Sequence, residues 1–231
     1  MTYKEPEHID WIDGAKGIAI LGVILVHCIP CYHEVGAIFH IDQCVPVFVF
    51  ITAYLSSLHF ESIKAYFKKQ RIVNMIKKII LPFLIVLLVQ LTCFALAGRQ
   101  PSAKSVVMNG GIGPGSYYIW LYVQMWVIIP FVVWLVRKVP TWASCIIMLA
   151  ISIIAEYTFV LVQGIENIDK WYRLMPIRYL LVLYLGCIWP ILRSKQKYVF
   201  YGLASISALM ILNNMYLPDS MQIANVLWGG G

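Results

Sequence analysis

The sequence predicts an all-α fold, a polytopic helical membrane bundle with about seven transmembrane helices. Two observations carry this. Of the 231 residues, 61% are hydrophobic and 13% charged, with a mean hydropathy of +0.77, whereas soluble domains carry about 25% charged residues. The apolar residues also form runs of spanning length, about 20 residues each, separated by short gaps. The net charge of +7 lies in those gaps and not along one soluble face, which fits the positive-inside rule and excludes nucleic acid as a partner.

The runs fall near 14–32, 43–60, 78–98, 117–136, 142–162, 176–192 and 199–217, the sixth being short. The N-terminal stretch MTYKEPEHIDWID is acidic and amphipathic and lacks the basic region and small-residue cleavage site of a signal peptide, so the first run is expected to stay as an anchor. The second gap is the most basic, with Lys64, Lys68, Lys69, Arg71, Lys77 and Lys78. Arg137 with Lys138, and Arg193 with Lys195 and Lys197, mark the other even-numbered gaps. These gaps and the N-terminus are expected to be cytoplasmic, and loops 33–42, 99–116 and 163–175 to face outward. The stretch NGGIGPGS before the fourth run reads as an irregular turn, since it lacks the spacing and lysine of a phosphate cradle. No gap is long enough for a soluble domain, so residues 1–231 are expected to form a single integral-membrane domain. The ending NVLWGGG, with no basic anchor after Trp228, suggests that the domain is incomplete at its C-terminus.

The first run holds the chemistry. Lys16 and His27 are separated by ten uncharged residues, a step that turns an α-helix by three full turns plus about 20° and rises about 16 Å. Both side chains therefore project from one stripe. Spacing alone admits two readings: Lys16 and His27 reach opposite interfaces by snorkelling, or they face the bundle interior and mark a functional path. Gly17 and Gly22 would let a neighbouring helix approach.

The residues around the pair favour the second reading. IDGAKGIAILGVILVH resembles the opening helix of the membrane-bound acyltransferase 3 family, which shares an Asp-Gly-x-Arg start and an Arg, ten residues, then His. Asp13, Gly14 and His27 fit; Lys16 stands where the family has Arg, keeping the charge but losing the planar fork. HIDQCVPVFVFITAYL is similar to the second-helix pattern, with Pro46, Phe48, Tyr54 and Leu55 fitting and Thr52 and Ala53 in place of Ser and Gly. The basic stretch leading to Pro82, the run with Trp120 and Pro130, and RYLLVLYLGCIWP resemble the segments that follow. The first-helix motif is the specific one. Members of the family have more spans than this chain shows, which again implies missing C-terminal helices.

The resemblance implies an O-acetyltransferase of the cell inner (plasma) membrane. Its donor would be acetyl-CoA and its acceptor a hydroxyl of a cell-surface or lipid-linked carbohydrate, with membrane lipid around it and no metal. His27 would be the general base, a task that suits a group titrating near neutrality. Lys16 would hold an anionic part of the donor or fix the site, with Asp13 gripping it by an i,i+3 contact. Arg71, Lys68, Lys69 and Lys78 are candidates for the CoA phosphates, although the positive-inside rule demands such residues anyway. Thr52 reads as a hydroxyl bonded to its own helix.

Two other readings stand beside this one. HCIPCYH places Cys28 and Cys31, with His27 and His33 beside them, at the outer end of the first run, a pattern open to thiol–disulfide chemistry or metal binding. No second cysteine pair is there to relay electrons. A transporter-like protein would show charges in several spans, whereas the later runs hold little beyond Glu156, which fits either a polar pathway or a pairing with a neighbouring helix. Trp11, Trp120, Trp142 and Trp171 read as interface residues first and sugar-stacking surfaces second.

Overall fold

A computed structural model describes residues 10–28, 44–99, 101–102, 106, 110–112, 116–162, 172, 174–192 and 195–216. All regular structure among them is helical: α1 (Asp10–Cys28), α2 (Cys44–Leu58), α3 (Ile63–Tyr66), α4 (Lys69–Met75), a π-helical turn (Ile76–Ile80), α5 (Leu81–Leu96), α6 (Tyr117–Lys138), α7 (Thr141–Leu161), a 3₁₀ turn (Pro176–Tyr179), α8 (Leu180–Leu192) and α9 (Gln196–Tyr216). Three runs among the described residues are long and apolar enough to cross a membrane: Lys69–Leu96, Tyr117–Lys138 and Thr141–Phe159. Cys44–Leu58 and Pro176–Leu192 are apolar but shorter. In the remaining two expected runs lie the helices α1 and α9, which are not among the helices long and apolar enough to cross.

The third span differs from expectation. Helix begins at Lys69 and runs unbroken to Leu96, so much of the basic gap is not a loop. Lys, Gln, Arg and Met are good helix formers, and their charged ends reach water while the stems stay on the helix. The π turn lies directly before Pro82, whose ring would clash with the carbonyl four residues back in a regular α-helix; a wider turn relieves that clash.

The chain divides into two compact units, Met1–Ile51 with Leu192–Gly231, and Thr52–Ile191. In the first unit, α1 buries Ile12 and Ala19, seven residues apart on one face. A methyl group added at Gly17 would meet nothing within 4 Å, so no described helix uses Gly17 for the close approach expected there.

The core of the second unit is a stripe on α6. Leu121, Met125, Ile129 and Val133 recur every four residues and are 0% exposed, while Trp120, Val127, Phe131 and Trp134 face outward. Leu183 and Cys187 of α8 are equally buried. With apolar surroundings on both sides, polar bonds hold such helices together as packing does. Ser57 Oγ donates to the Cys187 carbonyl at 2.7 Å, and the Ser144 and Tyr184 hydroxyls meet at 3.0 Å. Arg137, at the end of α6, donates to the carbonyls of Ser57 (2.9 Å), in the last turn of α2, and Phe60 (2.8 Å), just beyond it, where the backbone leaves carbonyls short of helical partners. Thr52 hydrogen-bonds with Tyr118 of α6, a cross-helix contact beyond the bond to its own helix expected from sequence.

The glycine stretch before α6 is a turn where it is described. Gly110 adopts a φ of +72°, open to glycine at little cost, and its carbonyl accepts the Trp120 indole N–H at 2.8 Å. Trp120 thus ties the turn to the helix, a role its place near a span end did not disclose.

Candidate functional site

The residues singled out by sequence fall into two groups, one on α1 and one on the segment from Tyr66 to Ile79.

On α1, the helix is continuous through both Lys16 and His27, which places them on one stripe as the spacing requires. Lys16 Nζ is 3.2 Å from Asp13 Oδ1, with the two side chains 40% and 56% exposed. The sequence Asp-Gly-Ala-Lys puts the pair one turn apart, where side chains meet. His27 lies in the last turn of α1 and is exposed. Cys28 carries a free, exposed thiol; Cys31 and His33 lie outside the described residues. No three His, Cys, Asp or Glu side chains cluster as a metal site among the described residues.

The second group forms a groove. About 320 Å³ is enclosed by residues that include Ser56, Tyr66, Arg71, Asn74, Lys78, Tyr122 and Trp126. Arg71, Asn74 and Lys78 stand at i, i+3 and i+7 along one helical run, which brings them to a common face. The walls are aromatic: Tyr66 and Trp126 have ring centroids 5.3 Å apart, and Phe67 meets the Trp126 edge at 5.2 Å. The Arg71 guanidinium lies 5.5 Å above the Tyr66 ring, a cation–π contact, and donates one hydrogen bond to the His59 carbonyl at 3.3 Å. That contact fixes the planar group while leaving other N–H donors for a ligand.

The groove is electrostatically one-sided. Its lining contains two cations and no Asp or Glu. Asn74 Oδ1 is occupied by the Gln70 amide at 3.1 Å, so Asn74 has its NH₂ to offer. Tyr122 and Trp126 add a phenol O–H and an indole N–H, both able to donate. Burial pushes the Tyr66 phenol up to about 12, opposed by its contact with the Ser56 hydroxyl. Tyr66 is therefore a neutral donor at physiological pH. A surface of cations and neutral donors suits an anion with several acceptor oxygens.

Lys68 and Lys69 do not line the groove. Lys68 caps α4 with a ψ of 141°, outside helical geometry, and Lys69 sits two positions from Arg71, about 200° around the helix. Composition treats these four cations alike; only the helix register separates them. Tyr66, Asn74, Tyr122 and Trp126 were not singled out from sequence. The i, i+3, i+7 spacing of Arg71, Asn74 and Lys78 was a readable signal, whereas the approach of Trp126, 55 positions later in the chain, was not.

Glu156 pairs with a neighbouring segment, accepting a hydrogen bond from the Tyr172 phenol. Burial, then that bond, raises the Tyr172 pKa. Trp11 and Trp142 are exposed, in keeping with interface positions, and Trp171 lies outside the described residues.

Comparison with known proteins places the chain in one family. The family model described as an acyltransferase domain, acyltransferase 3, matches residues 9–229. Neither the curated proteins nor the solved structures gave a match. With nearly the whole chain matched and apolar helices of spanning length, this protein belongs to the acyltransferase 3 family and is a membrane acyltransferase.

Proposed function

We propose that this chain is an O-acetyltransferase of the inner (plasma) membrane that moves an acetyl group from acetyl-CoA to a hydroxyl of a cell-surface or lipid-linked saccharide. Residues 1–231 act as one integral-membrane domain of seven spans with the N-terminus and the basic gaps on the cytoplasmic side. The acceptor hydroxyl attacks the thioester carbonyl, the carbon–sulfur bond breaks, and CoA leaves as a thiolate. His27 takes the hydroxyl proton as the new bond forms and returns it to the departing sulfur, assistance worth about 10²–10⁴-fold in rate. Lys16, held by Asp13 and about 16 Å along the helix from His27, holds an anionic part of the donor or fixes the geometry of the site.

The observation that carries this reading is the groove of Arg71, Asn74 and Lys78, with its donors and aromatic walls and no carboxylate in its lining. Phosphate oxygens match its charge and a flat nucleobase matches its rings. Lys68 and Lys69, on the same basic stretch but outside the lining, supply attraction at longer range.

Binding of CoA to the detergent-solubilised protein tests the reading. Arg71→Ala and Lys78→Ala each weaken binding by about tenfold or more, the loss of a charge-assisted contact. Lys68→Ala with Lys69→Ala weakens it less and mainly at low salt. Equal losses in the two sets would remove the groove as the donor site.

A further inference from the structure

A second cavity lies away from the basic groove, between α7 and the segment from Tyr172 to Ile177. It holds about 430 Å³, within the ~300–1,000 Å³ of ligand pockets, and is walled by Ile154, Ala155, Phe159, Tyr172 and Met175 among others. The Phe159 and Tyr172 rings stack at 3.9 Å to form one side.

The lining has two hydroxyls, and both already have partners. Thr158 Oγ1 donates to the Ile154 carbonyl at 2.7 Å, and the Tyr172 phenol donates to Glu156. A saccharide or other polar solute entering here would bury hydrogen-bonding groups with little to meet them. A hydrocarbon chain needs none.

Among the described residues, one cation stands near Tyr172. Arg178 is exposed, in the first turn of the apolar run Pro176–Leu192, where a long basic side chain reaches the interface. Its guanidinium lies 5.9 Å from the Tyr172 ring centroid and 6.0 Å from that of Tyr179. Among the described residues it pairs with no carboxylate. We propose that the cavity holds one hydrocarbon chain of an anionic phospholipid of the surrounding bilayer, with Arg178 beside the lipid phosphate. The charge next to the lining residue Tyr172 selects an anionic head and the bonded lining selects a chain. This site does not depend on the acetyl-transfer reading.

The test uses the full chain in phosphatidylcholine vesicles doped with diazirine-tagged phosphatidylglycerol or, separately, diazirine-tagged phosphatidylcholine. Crosslinks are then mapped by peptide. The tagged phosphatidylglycerol is expected to label residues 151–177 about fivefold more than the phosphatidylcholine probe, the preference one surface cation gives. Ala155→Trp, which fills the cavity, abolishes this labelling. Arg178→Gln, an exposed change, lowers phosphatidylglycerol labelling to the phosphatidylcholine level without requiring any repacking. Labelling that matches the exposed face of α5 in amount and in lipid preference, or that survives both substitutions, would overturn the proposal. So would displacement of the probe by a polyprenyl phosphate at a lower mole fraction than by phosphatidylglycerol itself, which would assign the cavity to a lipid carrier.

Discussion

Lys16 and Asp13 face each other across one turn of α1, with Nζ 3.2 Å from Oδ1. Both groups are largely exposed, and an ion pair of that kind contributes about 0.2–0.5 kcal/mol to a helix. A strong effect of either residue on activity would therefore come from the site and not from folding. Asp13→Asn is expected to leave the thermal midpoint within a degree or two of the parent. Acetyl transfer falls by about tenfold or more in the same protein, as expected when a positioning contact is lost. Lys16→Arg, which restores the bidentate fork, keeps activity, while Lys16→Met removes it. Parallel melting and transfer assays on the three variants check this.

Arg137 ties α6 to the end of α2 through two backbone carbonyls and one ring. Its guanidinium donates to the carbonyls of Ser57 and Phe60 and lies 5.1 Å from the Phe60 ring centroid. Arg137→Met keeps the apolar stem but leaves the carbonyls without those donors. The expected loss is about 1 kcal/mol, discounted from a buried charged hydrogen bond because Arg137 is partly in solvent. Arg137→Lys recovers only part of it, since one ammonium lacks the fork geometry. Thermal unfolding in detergent reads both.

Tyr66 makes stability depend on pH at the alkaline end. Its phenol has an ordinary value of 10.0 and is pushed by burial to about 12 in the fold. Below pH 10 both folded and unfolded chains hold the proton and this contribution is fully present. Between about 10 and about 12 the unfolded chain ionises first, so stability falls as pH rises through that window. Tyr66→Phe removes this phenol's share of the decline, and the difference between its thermal midpoint and that of the parent from pH 9 to 12 isolates the one phenol from the other tyrosines.

Gly110 and Gly202 should respond oppositely to alanine. At Gly110 the backbone has φ +72°, and a Cβ would stand 2.6 Å from Trp120 Cδ1 and 2.8 Å from Tyr117 Cα. Strain and overlap together cost about 1–3 kcal/mol. Gly202 lies within α9 with nothing within 4 Å of its Cβ position, so alanine there stabilises by up to ~1 kcal/mol through helix propensity. Melting curves of the two variants check the signs.

Much of this was legible in the sequence, and the residues show why. Seven apolar runs mark where helices lie because burial in hydrocarbon leaves backbone groups no partner outside their own helix. The Asp13–Lys16 contact follows from a three-residue step. The start of the third span was misplaced because charge was read as a break, although Lys69, Gln70 and Arg71 are helix formers whose charges reach water. Hydropathy places Lys68, Arg71 and Lys78 in one basic patch. Separating them takes the cap at Lys68 and the register of α4, and the Tyr66–Trp126 wall takes packing between segments far apart in the chain.

The central claim is that His27 is the general base for acyl transfer. O-acyl content of surface polysaccharide, measured in cells lacking the native gene and complemented with the parent, His27→Ala or Cys28→Ser/Cys31→Ser, tests it most directly. At equal membrane abundance the parent and the cysteine double variant restore the ester signal, and His27→Ala restores no more than about one part in a hundred of it, as loss of a general base predicts. Full restoration by His27→Ala would contradict the account and leave α1 as an anchored helix. Loss confined to the cysteine variant would move the chemistry to the thiols.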